Sequence, residues 1–148
     1  MRVIPLYNPE AILKAWPLLT PGLERVLEFS NGDDDLTLVL NEALAGHLLI
    51  WLVLDDGGVY SGFTTTCTRV SGTHPPHKYL VFNHTYKHPK ADFHKFIEAL
   101  LEITTEFAEK QGCDSMRLYS LRPLEKMVKA FGFKPSYVEY VKELKNDG

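Results

Sequence analysis

The sequence predicts a mixed α/β fold, in which an antiparallel meander of strands is followed by helices that cross over to further strands. Three observations lead there. Residues 47–54, 59–70 and 79–82 are apolar or β-branched runs separated only by turn-forming stretches. Residues 93–108 place Phe93, Phe96, Ile97, Leu100, Thr104 and Phe107 at three- and four-residue steps, the spacing of a helix with one buried face. Beyond Gly112, strand-like and helix-like stretches alternate: 116–120, 123–131 and 137–144. A length of 148 residues with 45% hydrophobic side chains suits one domain spanning the chain, with a loose tail at 146–148.

In order, residues 2–6 predict a strand, and Pro5 assigns it to a sheet edge because proline lacks the N–H of a central ladder. Asn8 and Pro9 open a helix over 9–19, as N-cap and first helical residue. Thr20-Pro21-Gly22 is expected to break it and start a second helix running to about residue 29. A turn at residues 30–32 precedes Asp33, Asp34 and Asp35, carboxylates that favour the N-terminus of a third helix ending at Gly46. Asp55-Asp56-Gly57-Gly58 reads as the hairpin turn between the first two meander strands. Residues 71–77, with Gly72, Pro75 and Pro76, turn the chain into the strand at 79–82. A polar turn over 83–90 then leads to the long helix, which Gly112 stops.

The longest apolar run, 48–54, is seven residues, far short of the roughly 20 that cross a bilayer as a helix. Pro5, Asn8, Pro9 and Glu10 interrupt what an export signal would need, so a cytoplasmic protein is expected. Cys67 and Cys113 form no ligand pair and are expected as buried thiols. Five of the six histidines fall between His74 and His94, but their irregular spacing makes no zinc set, and the aspartate run lacks calcium-loop spacing; no metal is expected. Residues 1–73 carry four basic and nine acidic side chains, residues 74–148 twelve and ten. Lys78, Lys87, Lys90 and Lys95 supply a modest positive patch suited to a few ligand phosphates, without the arginine stripe or aromatic alternation of a nucleic-acid surface.

Residues 78–112 therefore stand out. A strand opening into a helix offers backbone amides and a positive dipole to an anionic ligand. The element order, this strand-loop-helix, and the closing Lys129-Ala130-Phe131-Gly132-Phe133-Lys134-Pro135 resemble the GNAT acyltransferase superfamily. Asp35-Leu36, Ala45-Gly46, Leu49-Ile50-Trp51-Leu52 and Phe107-Ala108-Glu109-Lys110-Gln111-Gly112-Cys113 look like GNAT-fold proteins of tailed bacteriophages. The resemblance implies an acyl-CoA-dependent N-acetyltransferase that takes acetyl-CoA and a small amine or protein amine. Its implied coenzyme segment is Phe82, Asn83, His84, Lys87, Lys90, Ala91 and Asp92; His84, at the end of the central strand, is the best-placed base candidate, and Tyr119 or Tyr137 could stand in for the acid. The chain departs from the family pattern in two places. Residues 83–93 contain no glycine and include Pro89, and Val128 stands where many of these enzymes place a tyrosine acid. Those departures imply an alternative: a GNAT-like binding or virion-associated bacteriophage module, partnered by virion proteins and without transfer activity.

Overall fold

Five strands form one sheet in the order β1-β2-β3-β4-β5 in a computed structural model that describes residues 1–28, 34–72, 74–119, 125–136 and 140–144. The strands are β1 (Arg2–Leu6), β2 (Leu49–Leu54), β3 (Tyr60–Val70), β4 (Lys78–Lys87) and β5 (Ser115–Leu118). The helices are α1 (Pro9–Glu28), α2 (Leu36–Leu44), α3 (Phe93–Lys110) and α4 (Glu125–Phe131). Strands β1 to β4 are antiparallel neighbours, and β5 joins β4 in parallel after the α3 crossover. The predicted mixed α/β architecture is what the chain adopts, with Pro5 in the edge strand β1.

The period-two alternation of the strands divides the core. Ile50 and Phe63 point to one face, where α1 and α2 cover them with Ile12, Leu19, Leu23, Val39 and Ala43. Trp51 and Val53 point to the other, against Phe96, Ile97 and Leu100 of α3 and Met127 of α4.

Three expectations are corrected. Pro21 does not end a helix: α1 runs unbroken through both Pro17 and Pro21. Each proline removes an i→i−4 donor, at a cost near 3 kcal/mol in a helix interior. Burying Leu19 and Leu23, each 1% exposed, returns about 1.5–3 kcal/mol apiece. The hydroxyl of Thr20 donates to the Pro17 carbonyl at 3.3 Å, serving the oxygen that Pro21 cannot. Burial on a continuous stripe therefore outweighs local breaking. Secondly, β4 does not stop at residue 82 but continues to Lys87, so most of the expected polar turn is strand paired with β3. Thirdly, the described part of the expected last strand, 140–144, carries no strand pairing, and Tyr140 is 91% exposed. Tyr137 and the turn at 30–32 lie outside the described residues.

Side-chain caps open α2 and α3, the first where the aspartate run placed it. Asp35 accepts the Leu38 amide at 2.8 Å as the N-cap of α2, and Asp92 accepts the Lys95 amide at 2.9 Å as the N-cap of α3. Both cysteines are half-buried rather than buried, because each sits near a sheet border. The Cys67 sulfur accepts from Asn83 Nδ2 at 3.3 Å, and burial pushes the Cys113 thiol up.

Candidate functional site

The site begins with a fault in the ladder. On β3, Thr65 faces His84 and Thr66 faces Phe82, so Asn83 is an extra residue on β4. On its other side β4 pairs with β5 only from Tyr79 to Phe82. Past that point no described strand accompanies β4, and residues 83–87 border a notch in the sheet. The notch leads into the turn that feeds α3.

Within that turn most backbone groups are already engaged. The His88 amide donates to Ser61 O at 2.8 Å, the Ala91 amide to His88 O at 2.9 Å, and the Lys90 amide to His88 Nδ1 at 3.1 Å. Lys87 Nζ donates to His88 O at 3.0 Å and to Ala91 O at 2.8 Å. That ammonium ties the turn together and is not extended toward solvent. Lys87→Met keeps the aliphatic stem while removing both charge-assisted donors. A part-buried pair of this kind is worth about 1–2 kcal/mol after solvent screening, and a lowered thermal midpoint without loss of secondary structure is the expected result.

Three consecutive amides remain. Those of Asp92, Phe93 and His94 have no acceptor among the described residues, as expected for the first turn of a helix. The same three residues line a recess of about 440 Å3 closed on its far side by Glu125, Lys126, Lys129, Ala130 and Phe131 of α4. Lys126 Nζ stands 5.1 Å from the Phe93 ring centre, and the His94 and Phe131 rings are 5.1 Å apart. Two ammonium groups and a helix N-terminus thus face a common space, with the Asp92 carboxylate opposing them at its mouth.

On the opposite face of the sheet lies a second recess of about 430 Å3, lined by Glu24, Leu27, Glu28, Asp34, Asp35 and Leu36. Four carboxylates over two leucines suit a cation with an apolar stem. Beneath it His84, 6% exposed, is held by Thr65 Oγ1 at 2.7 Å from Nδ1 and by Asp34 Oδ2 at 3.0 Å from Nε2.

The sequence-derived residues are therefore dispersed. Phe82 is packed among Leu80 and Ala108, leaving only its backbone at the notch. Asn83, at the bulge, bonds to Cys67. Lys90 is exposed, and Ala91 offers its carbonyl to Lys87. Tyr119, 59% exposed, follows the end of β5 and makes no hydrogen bond with His84, whose ring partners are Thr65 and Asp34. Lys126, Lys129 and Asp34 escaped sequence reasoning. The i, i+3 spacing of the two lysines on a predicted helix was the available signal for the first pair. Among the described residues no group of three metal-ligating side chains gathers, and no helix is long and apolar enough to cross a membrane.

No protein-family model matches the chain, and no curated protein matches it in sequence. Solved structures do match in fold. A probable acetyltransferase superposes with a TM-score of 0.75 at 18% identity, over 99% of this chain and 100% of its own. A GNAT family acetyltransferase of Staphylococcus aureus gives 0.67 at 17% identity, over 97% and 100%. An aminoglycoside N-acetyltransferase in complex with CoA gives 0.66 at 16% identity, over 96% and 98%. At these identities the likeness establishes a shared fold.

Proposed function

We propose that the chain is an acyl-CoA-dependent N-acetyltransferase acting on a cationic amine, small or protein-borne, in a cytoplasm. The observation that carries this reading is the set of three open amides at the head of α3, facing Lys126 and Lys129 across one recess. Such a donor set fits a pyrophosphate: the amides act as fixed dipoles, and the lysines neutralise charge. The glycine-free turn remains compatible because its bonds are made within residues 87–91 and to Ser61 of β3, leaving the first helical turn to the ligand.

The remaining parts follow from position. The notch beside residues 83–87 of β4 would hold the thiol-bearing arm, with Asn83 and His84 at its side and Lys87, Lys90 and Ala91 shaping the turn. Bound acetyl-CoA supplies an activated acyl thioester. The acidic recess attracts the amine from the other face, and the His84 site carries the base. Tyr119, beyond β5, is the residue assigned to protonate the leaving thiolate. The fold shared with an aminoglycoside N-acetyltransferase in complex with CoA supports coenzyme A as the ligand.

Calorimetric titration with acetyl-CoA tests it. Binding that weakens about tenfold or more in the Lys126→Glu/Lys129→Glu double variant is expected, since each reversal replaces an attraction by a repulsion at the phosphates. No heat and no thermal shift at millimolar ligand would remove the enzyme reading. A second reading, a transfer-inactive GNAT-like module associated with a bacteriophage virion, is favoured by one observation: the Asp92 carboxylate sits where phosphate would approach. Asp92→Asn keeps a capping oxygen. The enzyme reading expects tighter acetyl-CoA binding in that variant, and the module reading expects none in either form.

A further inference from the structure

We infer that the group meeting the acceptor amine is the Asp34 carboxylate, with His84 and Thr65 behind it as positioning residues. The inference rests on the acetyltransferase reading and deepens it by separating the base from the residue that orients it.

The hydrogen bonds around His84 fix its tautomer. The Asp34 carboxylate can only accept, so Nε2 carries the proton between them, and Nδ1 of the neutral ring then takes the hydroxyl proton of Thr65 at 2.7 Å, the same hydroxyl oxygen accepting the His84 backbone N–H at 3.1 Å. Nδ1 is then an acceptor, and the single proton of the neutral ring lies on Nε2, donated to Asp34 Oδ2 at 3.0 Å. Neither ring nitrogen keeps a lone pair for an incoming group. At 6% exposure the ring is also out of reach.

Asp34 has what His84 lacks. Its side chain is 38% exposed, it lines the acidic recess, and its Oδ1 takes no hydrogen bond from any described residue. Among the described residues, the titratable groups around it are Glu24 and Glu28 from α1, Asp35 at the head of α2, and His84 from β4. Three of these four attract an ammonium ion, and the fourth holds the carboxylate in one orientation. That order of parts, carboxylate outermost, imidazole behind it and hydroxyl at the base, holds Asp34 in place and leaves its Oδ1 toward the recess.

In the step so arranged, a proton leaves the ammonium nitrogen for Asp34 Oδ1 and frees the lone pair. The nitrogen then bonds to the acyl carbon, and the carbon–sulfur bond breaks with its electron pair going to sulfur. Tyr119 gives its phenolic proton to the thiolate and is restored by the second nitrogen proton, giving an amide, a free thiol and a protonated Asp34 that returns its proton to water. Thr65 and His84 gain or lose nothing.

Two readouts test this on the full chain. Nitrogen–proton correlation NMR of the imidazoles is expected to show His84 as the Nε2–H tautomer at neutral pH; an Nδ1–H tautomer would overturn the inference whether or not the protein is an enzyme. Thiol release from acetyl-CoA is then followed with n-butylamine, spermidine and a lysine tripeptide as probes. Asp34→Asn keeps an acceptor for Nε2–H and is expected to fold. Its kcat should fall about 10²-fold with unchanged KM for acetyl-CoA, and the acidic limb of the pH–rate profile should disappear. Thr65→Val should lower kcat less and leave that limb in place. An Asp34→Asn variant with wild-type kcat and an intact limb overturns the role of Asp34 alone. Failure of the wild-type chain to bind acetyl-CoA in calorimetry overturns the acetyltransferase reading itself, so the two failures are told apart.

Discussion

Gly62→Ala is expected to destabilise the protein by about 4 kcal/mol, a large share of the 5–15 kcal/mol typical of a domain. Gly62 has φ +147, a region that side chains rarely adopt. An added Cβ would meet the Tyr86 carbonyl oxygen on β4 and lie 2.7 Å from Phe96 Cε2 on α3. The carbonyl belongs to the ladder and cannot retreat without separating β3 from β4. Gly22→Ala is the comparison: its Cβ would lie 2.5 Å from Tyr86 Cδ1 and 2.7 Å from Cγ, so the whole ring must shift, but the obstacle is a side chain and not a ladder carbonyl, in a helix where alanine is favoured by about 1 kcal/mol. Urea unfolding should rank Gly62→Ala well below Gly22→Ala. Equal losses would mean that the backbone collision is not the cause.

Trp51→Ala carries the other large effect, again about 4 kcal/mol. The indole is 1% exposed, contacts Phe107 edge-on with centroids 5.2 Å apart, and donates Nε1–H to Thr66 Oγ1 at 2.9 Å. Truncation removes the main apolar bridge from β2 to α3 and strands a buried hydroxyl. Trp51→Phe restores most of the contact area but not the donor, so an intermediate loss of about 1–2 kcal/mol is expected. If the phenylalanine variant melts with the alanine one, the hydrogen bond outweighs packing at this position. Midpoints of chemical unfolding at unchanged slope decide the matter.

Most of the fold was legible where one residue type had one physical use. Pro5 marked an edge, the run ending in Asp35 marked a helix start, and Gly46 and Gly112 marked helix ends, both adopting positive φ. Legibility failed where a distant partner decided the outcome. His84 looked like a turn residue because imidazoles are usually solvated, yet Thr65 and Asp34 satisfy both of its nitrogens inside the structure. Pro21 looked like a terminus because local propensity cannot count the burial of Leu19 and Leu23. The site was read from its strand and turn alone. The return of Lys126 and Lys129 to the head of α3 is a tertiary fact, invisible in a stretch more than thirty residues downstream.

The two prolines of α1 also have a dynamic consequence. Pro17 and Pro21 take two rungs from the helix ladder on its exposed side, just before the turns that carry Glu24, Leu27 and Glu28. Separating the C-terminal half of α1 from its N-terminal half thus breaks fewer backbone bonds than opening any other part of the helix. Within α1, the stretch that walls the acidic recess therefore follows the weakest part of the backbone ladder, while Gly22 packs against Tyr86. Under the proposed acetyltransferase reading, a wider entrance for an amine would come from local unfastening of this helix, with the sheet and the α3 side left undisturbed.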